Sequence, residues 1–331
     1  MFLSAETLSG LGYFLNILFL VIGVFLLVKG ADWFVASASS IAKKFKISAL
    51  VIGLTLVSIG TSMPELSVSI TASVNNANDM SFGNVIGSNI FNTFVVIGTA
   101  ALFTPMLIDK NMKKFDLPIL MLIYGILALF AFVVSPKIIE TWEAIIIFSL
   151  TFIYTGFLMF RSRKEIKEET VDLNELAGIS TSNNLILVLF GLAGVIGGGT
   201  LVVDNAKDIA IELGMSELLV GLTVISIGTS LPELVTSIVA AKKGENDIAV
   251  GNAIGSSLFN IVLILGLSAT IKPMNVDMGS LVDIAVMFAS AFIVFILAFG
   301  KGQIGKVKGS IFLVIYVAYF VYIILRDFGI L

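Results

Sequence analysis

One acidic motif occurs twice in this chain, as Gly60-Thr61-Ser62-Met63-Pro64-Glu65 and again as Gly228-Thr229-Ser230-Leu231-Pro232-Glu233. Both copies lie inside strongly apolar stretches, where a carboxylate costs on the order of a few kcal/mol. Carboxylates kept at that cost mark ion or substrate sites by default. One such site in each half of the chain points to a transporter assembled from two related halves.

Composition sets the class. Of 331 residues, 57% are hydrophobic and 13% charged, well beyond the apolar content of a soluble domain, and the chain reads as an all-α integral membrane protein. Apolar runs of roughly 20 residues recur along it, each sufficient to cross about 30 Å of hydrocarbon as a helix. The first run follows ten residues without Lys or Arg, so it is expected to be a retained span rather than a signal peptide. A net charge of -3 without a basic patch argues against nucleic acid as a partner. Cysteine and histidine are both absent, which removes disulfides, thiol chemistry and the ligands that softer metals prefer. Any metal handled here is a hard cation held by oxygen. The sequence contains no Gly-x-x-x-x-Gly-Lys-Ser/Thr loop for a nucleotide, and the expectation is a protein that is not an enzyme and uses no cofactor.

Apolar runs set against polar breaks predict ten spans, at 11–29, 48–73, 81–104, 117–135, 142–160, 184–203, 217–241, 248–270, 282–299 and 308–326. The most polar connection, 161–183, reads as a linker between a first five-helix repeat (1–160) and a second (184–331). The halves align without a gap at an offset of 168 residues. Val51–Asn92 and Leu219–Asn260 share 23 of 42 positions. Five spans per half is an odd number, so the second half enters the membrane from the opposite side and the repeats are inverted, as in many secondary transporters.

Loop charge gives the orientation. Sixteen of the twenty Lys and Arg residues, among them Lys43, Lys44, Lys113, Lys114, Arg163, Lys242 and Lys308, fall on the side reached after the first span. The positive-inside rule makes that side cytoplasmic. The expectation is a multi-pass protein of the cell membrane, with both termini outside and the 161–183 loop in the cytoplasm.

Spacing then gathers oxygen ligands. On a helix Ser58, Ser62, Glu65 and Ser69 share one face, and Ser226, Ser230, Glu233 and Ser237 repeat it. The Gly and Pro of each motif break a helix and free backbone carbonyls as further ligands. A second element follows each motif, Gly83-Asn84-Val85-Ile86-Gly87-Ser88-Asn89-Ile90-Phe91-Asn92 and Gly251-Asn252-Ala253-Ile254-Gly255-Ser256-Ser257-Leu258-Phe259-Asn260. Asn84, Ser88 and Asn92 form a polar stripe on an otherwise apolar helix, matched by Asn252, Ser256 and Asn260. Such oxygens suit Na⁺ or Ca²⁺, the latter taking six to eight ligands at about 2.3–2.6 Å. The paired glycines 83/87 and 251/255 read as close-packing positions. Asn78-Asp79 and Asn246-Asp247 read as helix N-caps, and Asp32 and Asp204 as interfacial.

The paired Gly-Thr-Ser-x-Pro-Glu segments, each followed by Gly-Asn-x-x-Gly-Ser-x-x-x-Asn, resemble the two alpha-repeats of the calcium/cation antiporter superfamily, in its prokaryotic sodium/calcium exchanger-like branch. The resemblance covers essentially the whole chain and implies a ten-helix inverted-repeat antiporter moving Ca²⁺ outward against Na⁺ by alternating access, in a single chain. It implies that Glu65 and Glu233 are the central carboxylates, with Thr61, Ser62, Thr229 and Ser230 adding oxygens beside them. Ser58 and Ser226 match positions that offer backbone carbonyls, and Ser88, Asn92 and Ser256 match side-chain ligands. Asn260 departs from the pattern, because many relatives carry Asp there. That loss of an anionic ligand argues against K⁺ co-transport. An H⁺- or K⁺-coupled exchanger is the alternative, and a cation channel built from the same oxygens is a third reading.

Overall fold

The computed structural model describes residues 5–45, 47–168, 181–213, 226–276, 278–299, 302–327 and 330. In chain order the elements are α1 (Ala5–Phe45), α2 (Ala49–Thr61), α3 (Met63–Val74), α4 (Asn78–Phe103), β1 (Met106–Leu107), α5 (Met112–Val134), β2 (Ile138–Ile139) and α6 (Thr141–Glu168). They continue with α7 (Thr181–Glu212), α8 (Ser226–Thr229), α9 (Leu231–Lys242), α10 (Asn246–Ile271), β3 (Met274–Asn275), α11 (Met278–Phe299), β4 (Gln303–Ile304) and α12 (Lys306–Asp327). Eight helices among the described residues are long and apolar enough to cross a membrane, or nine if the bent pair α2–α3 is one span. The expected span 217–241 falls partly outside the described residues; its described part is α8 and α9.

Two spans extend well past their expected ends. α1 reaches Phe45 rather than residue 29, because Phe34, Val35, Ala38, Ile41 and Ala42 continue a buried helical stripe through a polar-looking segment. Lys29, at the expected end of the first span, therefore lies within the helix. α7 likewise runs to Glu212 rather than 203. These two helices lie against each other through glycines. A Cβ on Gly30 would sit 2.6 Å from the Val195 nitrogen, and one on Gly198 2.5 Å from that of Leu27, so only a hydrogen fits at either place.

The remaining spans form a packed body. In α4 and α10, 78% and 94% of the apolar window is buried, against 17–39% for the other full-length spans. The two helices carrying the Asn/Ser stripes therefore stand at the centre. Exposed Phe14, Phe25, Phe152, Phe160 and Val314 give the outer surface the bulk expected to face lipid. Gly251 and Gly255 do pack closely, a Cβ on Gly255 lying 2.8 Å from the Leu54 Cα, whereas Gly83 has open space around it. Asn78 and Asn246 are the first helical residues of α4 and α10 rather than their caps, and neither cap residue, Ala77 or Glu245, makes a side-chain capping bond. Asn78 instead donates from Nδ2 to the Pro273 carbonyl at 2.8 Å.

Contacts between the halves are reciprocal. β1 pairs antiparallel with β4, and β2 with β3. β1 and β3 stand at equivalent places in the two repeats, so each pairing is the image of the other. The same reciprocity appears in an ion pair per half that hydrophobic patterning does not reveal. Asp116 meets Arg161 at 2.9 Å and accepts from the Tyr154 hydroxyl at 3.3 Å. Asp283 meets Arg326 at 3.0 Å and accepts from the Tyr319 hydroxyl at 2.9 Å. Each trio fastens the last two spans of its repeat together.

Candidate cation site

The site begins at a helix break dictated by proline. Pro64 has no N–H to offer the Gly60 carbonyl, and it occupies the first turn of α3, where that absence is tolerated. α2 and α3 consequently meet at an angle of 48°. The hinge residue Ser62 takes φ −82°, ψ 9°, and its repeat counterpart Ser230 takes φ −93°, ψ 5°, so both breaks share one backbone geometry. Glu65 and Glu233 fall in the first turn of the helix after each break, where the N-terminal end of the helix dipole favours negative charge. Both are fully buried.

Each carboxylate is held by the opposite repeat. Ser62 Oγ donates to Glu233 Oε1 at 2.8 Å, and Ser230 Oγ donates to Glu65 Oε1 at 3.1 Å. Ser88 Oγ lies 3.1 Å from Ser230 Oγ, and Ser256 Oγ lies within reach of Glu233 Oε1 at 3.4 Å and of the Ser58 carbonyl at 3.3 Å. Thr61 Oγ1 donates to Asn252 Oδ1 at 3.1 Å, and Thr229 Oγ1 to Asn84 Oδ1 at 3.3 Å. Of the sequence-expected residues, the structure thus gathers Glu65, Glu233, Thr61, Ser62, Thr229, Ser230, Ser88 and Ser256 with the Ser58 carbonyl. The side chain of Ser226 lies outside the described residues.

What these bonds leave over is informative. Oε2 of Glu65 and Oε2 of Glu233 are buried without a protein partner, as are both amide atoms of Asn92 and of Asn260. Buried polar atoms are ordinarily satisfied, and an unpaired buried carboxylate oxygen costs several kcal/mol. Asn92 and Asn260 each open a π-helical turn, at Asn92–Val96 and Asn260–Leu265, a distortion common at functional sites because it re-aims side chains. The leftover donor set is oxygen-rich, built on two carboxyl groups and free of sulfur and imidazole. It fits a hard cation. Among the described residues no group of three or more acidic side chains placed to hold a metal forms, at this site or elsewhere, so the two carboxylates are supplemented here by neutral oxygens.

Coverage is unequal in the two halves. On α9, Leu231, Val235 and Val239 are packed against Leu27 and Ala31 of α1 and Val195 of α7. Their counterparts 168 residues earlier on α3, Met63, Ser67 and Thr71, are all exposed. The covered side is also tied by polar contacts: Lys243 pairs with Asp32 at 2.7 Å, and Ser39 Oγ donates to Glu245 at 2.5 Å. Asp32 is therefore a partner in an ion pair and not merely an interfacial residue.

A family model described as "Sodium/calcium exchanger protein" matches residues 15–160 and 183–325. The chain belongs to that family. It falls in the prokaryotic sodium/calcium exchanger branch of the calcium/cation antiporter superfamily. It is 35% identical over 342 residues to the sodium/calcium exchanger MaX1 of Methanosarcina acetivorans, covering 92% of this chain and 97% of that one. It is 39% identical over 264 residues to the inner membrane protein YrbG of Escherichia coli, covering 78% and 80%. Among solved structures, the sodium-calcium exchanger NCX_Mj soaked with 10 mM Na⁺ and zero Ca²⁺ superposes with a TM-score of 0.82 at 33% identity, covering 92% of this chain and 98% of that one. Membership in this family and the apolar helices together make the chain a multi-pass membrane protein.

Proposed function

We propose that this exchanger-family protein moves Ca²⁺ out of the cell against inward Na⁺, by exposing one shared site alternately to the two sides of the membrane. The observation that carries the reading is the crossed pair of buried carboxylates, each fixed through Oε1 by a serine of the other repeat and each keeping Oε2 unpartnered. Two carboxylates roughly balance one divalent ion, and Na⁺ competing for the same oxygens makes occupancy mutually exclusive. Mutual exclusion is sufficient for exchange, and no nucleotide is required. In this reading the chain has ten spans in two inverted five-helix repeats, 1–160 and 184–331. The 161–183 linker is cytoplasmic, both termini are outside, and one chain in the bilayer is the functional unit. The exposed α3 face then opens the site toward the outside, while α1 seals the cytoplasmic side along α9. Glu65, Glu233, Ser88, Asn92, Ser256 and Asn260 serve as side-chain ligands, and Ser58 and Ser226 contribute carbonyls.

The test is ⁴⁵Ca²⁺ uptake into proteoliposomes under imposed Na⁺, K⁺ or H⁺ gradients. Uptake driven only by a Na⁺ gradient of opposite direction is expected. Uptake without any counter-ion would replace the exchanger with a channel, and uptake driven by H⁺ or K⁺ alone would replace Na⁺ as the coupled ion.

A further inference from the structure

The two repeats build the same hairpin twice, β1 with β4 and, as its image, β2 with β3, yet only the first is strongly basic. Around it lie Lys110, Lys113 and Lys114 at the start of α5, Lys306 and Lys308 at the start of α12, and Lys242 at the end of α9. Specific contacts gather them. The Ile108 amide donates to the Gly302 carbonyl at 2.9 Å, and the Lys113 ammonium closes over Gly302. Lys308 Nζ donates to the Gln303 carbonyl at 2.9 Å. Lys242 stands 4.4 Å from the Phe103 ring centroid, and Thr104 Oγ1 donates to the Ala241 carbonyl at 3.0 Å.

The fold does not ask for these charges. Matched through the hairpin register and the Asp–Arg–Tyr trios, Lys306 and Lys308 fall opposite Thr141 and Glu143, and Lys113 and Lys114 opposite Ser280 and Leu281. Glu143 suits its helix: it accepts from the Glu140 amide at 2.9 Å, at the positive end of the α6 dipole. Lys306 and Lys308 oppose the dipole of α12, whose first turn holds no acid. Among the described residues none of the six lysines lies within ion-pair distance of a carboxylate. Beside them Leu107 and Val307 are 53% and 76% exposed. Cationic tips next to bare aliphatic carbon, at the ends of spanning helices, match the boundary between headgroups and acyl chains.

We propose that the β1–β4 hairpin is a binding surface for an anionic phospholipid, with the lysines on the headgroup phosphate and Leu107 and Val307 on the first carbons of the acyl chains. The inference goes beyond ion exchange and requires no particular transported cation. β1 follows α4, which carries Ser88 and Asn92, and β4 leads into α12. A lipid held here therefore ties a helix of the cation site to the last span.

The experiment is thermal protection of the purified full chain in detergent, titrated with phosphatidylglycerol, with phosphatidylcholine of the same acyl chains, or with inorganic phosphate. Phosphatidylglycerol is expected to protect the parent, and the other two to add little. Each lysine near a lipid surface is worth roughly fivefold in affinity, so Lys306→Gln with Lys308→Gln should raise the half-protecting phosphatidylglycerol concentration at least about tenfold. Lys110→Gln with Lys114→Gln, both exposed, should act in the same direction and serves as the second variant if the first does not fold. Lys137→Gln with Lys272→Gln removes equal charge beside the mirror hairpin and should leave the parental value. Equal protection by phosphatidylcholine, protection by inorganic phosphate at the same concentrations, or an equal loss in the mirror variant overturns the proposal. Lysines that serve only to orient the chain during insertion would leave purified, folded variants with the parental lipid response, and that result overturns it as well.

Discussion

The hydroxyl of Ser62 donates to Glu233 at 2.8 Å across a separation of 171 residues. A serine from the break in the first repeat thus fixes the carboxylate of the second, and Ser230 returns the contact to Glu65. Neither half contains a complete site. The duplication is therefore tied to this geometry: each carboxylate is held through Oε1 by the opposite break.

Neutralising either carboxylate should abolish most transport without unfolding the chain. Glu65→Gln and Glu233→Gln keep the shape and remove one charge, and a loss of Ca²⁺ flux of at least about a hundredfold is expected, equivalent to roughly 2.7 kcal/mol or more of ion binding. Near-parental ⁴⁵Ca²⁺ exchange in both variants would remove these residues from the site.

Asn260 and Asn92 test whether unpartnered amides belong to the ligand set. Asn260→Asp adds an anionic ligand and is expected to strengthen Ca²⁺ binding relative to Na⁺ by about tenfold, the equivalent of roughly 1.4 kcal/mol. Asn92→Asp should act similarly if the repeats are functionally equivalent. Competition of Na⁺ against ⁴⁵Ca²⁺ measures both, and unchanged selectivity in the two variants would confine the site to the Gly-Thr-Ser-x-Pro-Glu segments.

The uncovered face of α3 predicts a one-sided pattern of labelling. The native chain has no cysteine, so single cysteines at Ser67 or Thr71 are read against a clean background. They should react with a water-soluble thiol reagent added outside, whereas Val235→Cys and Val239→Cys should be protected. Lys243→Gln, which removes the ion pair to Asp32, should raise reactivity at Val239→Cys from the cytoplasmic side. Equal labelling of the α3 and α9 positions in the parent background would refute the asymmetry.

Orientation is checked at two exposed asparagines. Cysteine at Asn75 should be labelled by impermeant reagents only from outside, and cysteine at Asn183 only from the cytoplasm. Labelling of both from the same side would refute the inverted arrangement.

Breaking the Asp116–Arg161 pair should cost stability rather than ion selectivity. Both side chains are buried, and removing one partner strands a charge at about 3–5 kcal/mol. Asp116→Ala should therefore melt well below the parent in detergent. The equivalent Asp283→Ala should lose less, because its partner Arg326 is more exposed at 28%.

The sequence by itself determined the membrane class, the duplication, the two carboxylates and the oxygen character of the site. Those features are written in local composition and in spacing, and Glu65, Ser62 and Ser88 could be picked out because polar residues are rare enough in apolar spans to stand out singly. Tertiary structure decided who holds whom. The crossed bonds from Ser62 to Glu233 and from Thr61 to Asn252 join residues far apart in the chain, and a repeat read from sequence does not say whether each half binds itself or its partner. The true length of α1 was equally hidden, since Asp32, Ser37 and Ser39 look like loop until Lys243, Glu245 and the core behind them supply partners. The ion-pair trios are hidden for the same reason: Asp116 reads as the last residue of a charged connection, just after Lys113 and Lys114, until the fold brings Arg161 and Tyr154 beside it. Hydrophobic pattern is a property of neighbours along the chain, whereas the satisfaction of a buried polar group depends on neighbours in space.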